Sequence, residues 1–254
     1  MMRNDAGKDA SAHSAAPKVG AGRELTGTDL KIIALVTMVI DHIGVALLAP
    51  RSGLYWVARL IGRLSFPLYC FLLVEGFCHT SEVRRYLGRL GMFALISEIP
   101  FDFMNGTFRL ELLATDLPTF LSGLFVSQNV YFTLAIGLIA LMGYVRLQNQ
   151  GQRIPAVLWC MIMSGLAWMM RADYDFAGVA LICIFYRFRQ EPQMRALWGG
   201  GTLLLAMSPT EFPALLDFWL MSLYGGRRGD DRWKRMFYAA YPLHLLLLGM
   251  LRML

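Results

Sequence analysis

The chain has 254 residues, of which 56% are hydrophobic and only 17% charged, with 16 Met and 24 Gly, against roughly 45–50% apolar and 25% charged in soluble domains. That balance excludes an ordinary soluble enzyme and points to a polytopic membrane protein. The net charge of +6 does not point to nucleic acid, because no basic patch with interleaved aromatics accompanies it and the cations fall in short loops between apolar runs.

Residues 1–28 are rich in Ala, Ser, Gly and charge and cannot bury a core, so a flexible cytoplasmic tail is expected there, with His13 solvated. No apolar stretch leading to a small-residue cleavage site precedes the first span, which is expected to act as an uncleaved signal anchor. Residues 29–254 then form one transmembrane domain. Apolar windows predict helices near 29–49, 54–77, 83–103, 128–146, 154–170, 174–188, 194–208, 211–225 and 233–253. The expected fold is all-α, an integral membrane bundle of about nine transmembrane helices. Cys70, Cys78, Cys160 and Cys183 lie in or beside apolar segments without ligand or disulfide spacing, so they read as packing residues and no metal is expected.

Lys and Arg cluster in alternate loops. Arg3, Lys8, Lys18 and Arg23 lie in the tail, followed by Arg84, Arg85 and Arg89, then Arg146 and Arg153, then Arg187, Arg189 and Arg195, then Arg227, Arg228, Arg232, Lys234 and Arg235. The opposite side holds only Arg51, Arg109, Arg171 and Arg252. The positive-inside rule then puts the N-terminus in the cytoplasm. Because the loops on both sides of 194–225 are basic, that segment must go out and return, as two short helices or a re-entrant hairpin.

The first span, "LKIIALVTMVIDHIGVALL", carries Lys31 at its start and Asp41-His42 deep inside. Ionisable residues at that depth cost roughly 2.5–3.5 kcal/mol on insertion scales and usually face a bundle interior or a wet cavity. His42 is eleven residues beyond Lys31, about 16 Å deeper and within about 20° of the same helix face. The second span places Arg59 and Arg63, an i,i+4 pair, near the depth of His42, and the third brings Glu98 to that layer with Asp102 a turn above and Pro100 between. The last span carries Pro242 and His244 near the midplane, where a helix–helix hydrogen bond and a catalytic role are equally open. Glu75 ends the second span at the inner face beside Arg84 and Arg85, and His79 falls in the turn that follows. A cationic mouth of this kind suits a phosphate-bearing ligand. A buried ion-pair network that only fixes helix packing accounts for the same charges without chemistry.

The stretches "DLKIIALVTMVIDHIG", "RLIGRLSFPLYCFLLVEGF", "RRYLGRLGMFALISEIPFD", "QNVYFTLAIGL", "ADYDFAGVALI" and "FYAAYPLHLLLL" occur in order across 29–254, and together they resemble the TraX family of pilin-acetylation membrane proteins. The chain is also similar to the wider membrane acyltransferase superfamily, whose first helix carries a basic residue, ten residues, then an essential His, the spacing of Lys31 and His42. Lys stands where many members have Arg, "VEGF" where many have "SGF", and residues 105–127 make a longer outer loop than that pattern implies.

The resemblance implies an acyl-CoA-dependent N-acetyltransferase in the bacterial inner membrane. Acetyl-CoA would dock its phosphates at Lys31, with Arg59, Glu75, Arg84 and Arg85 in the donor site, and extend its pantetheine arm toward His42. His42 would act as general base or acyl carrier, oriented by Glu98, Asp41 or Asp102, with Arg63 stabilising the oxyanion and His244 nearby. The implied acceptor is the N-terminal amine of a pilin or another periplasm-facing group. Two other classes fit the residues, a proton-coupled transporter and a non-enzymatic pilus assembly factor.

Overall fold

The computed structural model describes residues 24–107, 115–123, 126–230 and 234–253. The expected tail over 1–23, Arg109 and Arg232 lie outside the described residues, as does part of the 105–127 loop. Among the described residues the regular structure is helical: α1 (Gly27–Leu47), α2 (Gly53–Gly62), α3 (Ser65–His79), α4 (Val83–Asn105), α5 (Leu117–Gly123), α6 (Val130–Asn149), α7 (Arg153–Met169), α8 (Asp175–Arg187), α9 (Pro192–Gly201), α10 (Leu216–Ser222) and α11 (Lys234–Arg252). Three helical stretches among the described residues are long and apolar enough to cross a membrane, Gly27–Leu47, Gly53–His79 and Val130–Asn149, with shorter apolar helices at Arg153–Met169 and Met236–Arg252.

The first helix starts two residues earlier than its apolar window because Thr26 caps it. The Thr26 hydroxyl accepts from the Asp29 amide at 3.2 Å and the Asp29 carboxylate accepts from the Thr26 amide at 2.8 Å. Residues 24–28, expected in the tail, thus belong to the fold: Leu25 pairs with Tyr224, and the Gly27 amide donates to the Arg227 carbonyl at 2.8 Å.

The single helix expected over 54–77 is broken at Arg63-Leu64. Pro67 is the cause, since its ring lacks an N–H and clashes with the carbonyl four residues back, that of Arg63. Gly62 lets the broken segment close on α1, because a Cβ there would come within 2.2 Å of Asp41 Oδ1. The 194–225 segment folds back on itself, with Gly199 beside Phe218 and Gly200 beside Leu215. From α9 it runs as a π-helical stretch over Thr202–Met207, breaks at extended Ser208, and resumes as a 3-10 turn over Pro209–Leu215 that leads into α10.

One large apolar core joins α1, α3, α4, α6, α8 and α11 around Leu30, Phe66, Leu68, Leu138, Leu181 and Leu245. A smaller one sits between α6, α7 and α8 around Ala140, Met163, Ala167 and Val179. Large apolar side chains also cover the outside, on α4 (Leu95, Ile99), α7 (Ile154, Met161) and the π-helical stretch, where Leu205 is 90% exposed. A water-facing surface would not carry that many contiguous apolar groups.

Candidate functional site

The break at Arg63-Leu64, the C-terminal half of α1 and the Ser208 reversal surround a cavity of about 600 Å³. Its wall holds Asp41 and His42 from α1, Arg59 and Arg63 from the broken helix, Asp173-Tyr174-Asp175 ahead of α8, and Glu211 from the 3-10 turn. Asp41 accepts from Arg59 Nη1 at 2.5 Å and Glu211 accepts from Arg63 Nη1 at 2.8 Å. Two ion pairs therefore tie three chain segments together around the cavity, and carboxylates outnumber guanidinium groups on its wall.

His42 is held by the last helix. Its Nδ1 lies 2.6 Å from His244 Nε2, with the two rings stacked at 4.9 Å between centroids. His244 Nδ1 lies 2.7 Å from the Ala240 carbonyl one turn back. A carbonyl only accepts, so His244 Nδ1 carries the proton. With both rings neutral, His244 Nε2 accepts from His42 Nδ1–H, and His42 Nε2 keeps its lone pair. The hydrogen-bond chain thus fixes the tautomer that a base or a nucleophile requires.

The Asp173–Asp175 stretch is backbone-strained. Tyr174 and Asp175 both have positive φ, 62° and 53°, which costs roughly 1–3 kcal/mol per non-glycine residue and persists only where surroundings enforce it. Here Phe66 stacks on the Tyr174 ring at 3.6 Å, the Thr133 hydroxyl donates to the Asp173 carbonyl, and the Asp173 amide donates to the Gln128 carbonyl at 2.8 Å.

A second cavity of about 190 Å³ lies toward the start of α1. Lys31, Arg89 and Arg228 line it with His79 and a single carboxylate, Glu75. Aromatic rings back the cations: Lys31 Nζ is 5.9 Å from the Phe237 centroid and the Arg89 guanidinium 5.7 Å from that of Tyr86. Arg228 is anchored by donating to the His79 carbonyl at 2.5 Å. Tyr69 is the side chain common to both cavity walls.

Of the residues expected at the site, Asp41, His42, Arg63 and His244 come together, and Lys31 and Glu75 share the small cavity. Arg59, expected with the donor phosphates, instead lines the large cavity on Asp41. Arg84 and Arg85 are exposed and absent from the small cavity's wall, Arg85 pairing with Glu82 at 2.6 Å. Arg89, one turn further on the same face, takes their place.

Glu98 and Asp102 were expected to orient His42, and neither lines its cavity. Glu98 accepts from the Asn129 side chain at 2.5 Å and its amide at 3.1 Å, while Asp102 accepts from the Thr107 hydroxyl at 3.0 Å. Their depth was estimated from the chain, but their helix face was not. Phe101, Met104 and Asn105 are the residues α4 turns to the cavity, and at about 100° per residue Glu98 and Asp102 fall to one side of that stripe. Glu211, Asp173, Tyr69 and Arg228 were missed. An acid between two prolines in an apolar run, "SPTEFPALL", and the "ADYDF" stretch were the available signals for the first two.

A family model described as TraX protein matches residues 26–252. The chain is 30% identical over 241 residues to a probable fimbrial assembly protein FimC, serogroup H1, of Dichelobacter nodosus, covering 89% of this chain and 95% of that protein. No solved structure matches.

Proposed function

The chain belongs to the TraX family, and from that premise we propose that it is a bacterial inner-membrane N-acetyltransferase serving pilus biogenesis, moving acetyl from cytoplasmic acetyl-CoA to the N-terminal amine of a pilin subunit on the periplasmic side. The observation that carries the reading is the His42–His244 pair, which leaves His42 Nε2 with a lone pair on the wall of a polar cavity inside an apolar bundle. In this reading the chain crosses the bilayer about nine times with its N-terminus in the cytoplasm. The alternation of loops rich and poor in Lys and Arg and the apolar outer surface support it.

The small cavity is then the donor mouth. Lys31, Arg89 and Arg228 hold the phosphates of acetyl-CoA, and the pantetheine arm runs along α1 toward His42, about 16 Å away along the helix. The large cavity receives the acceptor, and its carboxylate excess favours a cationic amine over an anion. The neutral amine attacks the thioester carbonyl carbon. The C–N bond forms, the C–S bond breaks, and the proton lost by nitrogen passes through His42 Nε2 to the departing thiolate, leaving an acetylated amine and free CoA thiol.

A second reading has one observation in its favour: the curated relative is named as an assembly protein, and a factor that merely holds pilin needs no donor. Purified protein in liposomes, given radiolabelled acetyl-CoA and a synthetic pilin N-terminal peptide, separates the two. Transfer by wild type that His42→Ala removes, and that Lys31→Ala weakens through acetyl-CoA affinity, is the expected result. Equal labelling in all three proteins would make His42 structural. Pilin binding without transfer would favour the assembly factor.

A further inference from the structure

The two cavities meet at tyrosines. Tyr69, on the first turns of α3, lines both. Tyr131 lines the small cavity, Tyr241 lines the large one, and their rings meet edge-on at 5.1 Å. A donor arriving from the Lys31 side and an acceptor from the other must therefore bring their reacting atoms together at this partition.

At that junction a thioester carbonyl needs a hydrogen-bond donor for the charge that develops on its oxygen. The two guanidinium groups of the large cavity each give one Nη1 to a carboxylate, Arg59 to Asp41 and Arg63 to Glu211, and neither lines the small cavity from which the donor arrives. The Ser208 hydroxyl is engaged with Thr210 at 2.9 Å, and the Tyr131 hydroxyl reaches the Tyr238 carbonyl at 3.5 Å. The Tyr69 hydroxyl has no hydrogen-bond partner among the described residues. A half-buried phenol that faces both cavities without a protein partner is free to donate to a ligand there.

We propose that Tyr69 is a catalytic residue of the acetyl transfer, its hydroxyl donating a hydrogen bond to the thioester carbonyl oxygen at the threshold between the donor and acceptor cavities. The proposal rests on the donor reading given above. As the amine lone pair adds to the carbonyl carbon, the π electrons move to oxygen and the Tyr69 O–H···O bond strengthens. As the C–S bond breaks, the carbonyl reforms and the phenol keeps its proton. His42 alone exchanges a proton, taking it from the amine and returning it to the thiolate, so Tyr69 ends the cycle unchanged.

The test is Tyr69→Phe, which deletes one oxygen and keeps the ring that fills the partition, with Tyr144→Phe as the matched variant at a phenol that lines neither cavity and accepts from Gln148 Nε2 at 3.0 Å. Both are assayed as full-length protein in liposomes with labelled acetyl-CoA and pilin peptide, and checked for wild-type thermal unfolding in detergent. The expected result is a kcat lowered on the order of 10²-fold by Tyr69→Phe, the cost of removing one such donor, with the acetyl-CoA KM within about twofold. Tyr144→Phe should stay within about twofold in both constants. A Tyr69→Phe enzyme with wild-type kcat, or one changed in KM alone, overturns the role while leaving the transferase intact. A wild-type protein that transfers no acetyl group overturns the donor reading and this role with it, and that outcome is told apart because it precedes any comparison of variants.

Discussion

The two cavities use charge in opposite ways. In the large one every guanidinium is held by a carboxylate from another chain segment, Arg59 by Asp41 and Arg63 by Glu211, so charge fixes positions. In the small one three cations, Lys31, Arg89 and Arg228, face one carboxylate, Glu75, against aromatic walls, so cations are in excess. A site of matched ion pairs holds groups within a narrow geometry; a site with cationic excess draws in a polyanion and tolerates imprecise contacts. The difference separates positioning from capture, and substitutions in the two cavities should change different constants.

The largest effect is expected from His42→Ala, which should slow transfer on the order of 10²–10⁴-fold with acetyl-CoA binding retained, measured by equilibrium binding of labelled donor beside the rate. An α-amine with a pKa near 7.7–8.0 is partly neutral at pH 7, so it needs less base assistance than a hydroxyl. A rate abolished beyond that range marks an acyl-imidazole intermediate, trapped by acid quench as labelled protein.

Glu211→Ala should destabilise the fold by about 3–5 kcal/mol, because it strands the Arg63 guanidinium in the bundle without a partner. A lowered apparent Tm in detergent checks it, and Glu211→Ala with Arg63→Met should recover most of the loss. A single variant as stable as wild type would mean that water already carries the Arg63 charge, and the contrast between paired and cation-rich cavities would fail.

His244→Ala releases the His42 ring to either tautomer and should lower kcat on the order of 10²-fold with KM unchanged, read from initial rates. A KM effect alone would move His244 to the donor side. Arg89→Ala should do the converse, raising the acetyl-CoA KM on the order of tenfold, about 1.4 kcal/mol, with kcat unchanged and the difference shrinking in salt. The smallest effect belongs to Arg84→Ala with Arg85→Ala, expected within about twofold on both constants because neither residue lines the small cavity. A tenfold KM change there would extend the donor mouth beyond the cavity wall.

What was legible in the sequence divides by physical scale. Apolar windows located the helices because burial against lipid or core sets composition over twenty residues. Helix rise alone placed His42 well below Lys31 on the same face. Rotation was harder: Glu98 and Asp102 were at a plausible depth, yet their face of α4 turns to Asn129 and Thr107. The break at Arg63 was written in Pro67, but its use, bringing Asp41 to Gly62 and both arginines to one cavity, depends on a tertiary approach that no local pattern records. Glu211 was invisible as a partner for the same reason, lying 148 residues from Arg63.

The His42–His244 bond joins residues 202 positions apart, one on the first long helix and the other on the last. At about 5–20 residues per second of synthesis, His42 is made some tens of seconds before its partner exists. During that interval its ring has neither a fixed tautomer nor a stacked neighbour. A nascent or prematurely terminated chain, however well its early helices form, holds the histidine without the means to aim it.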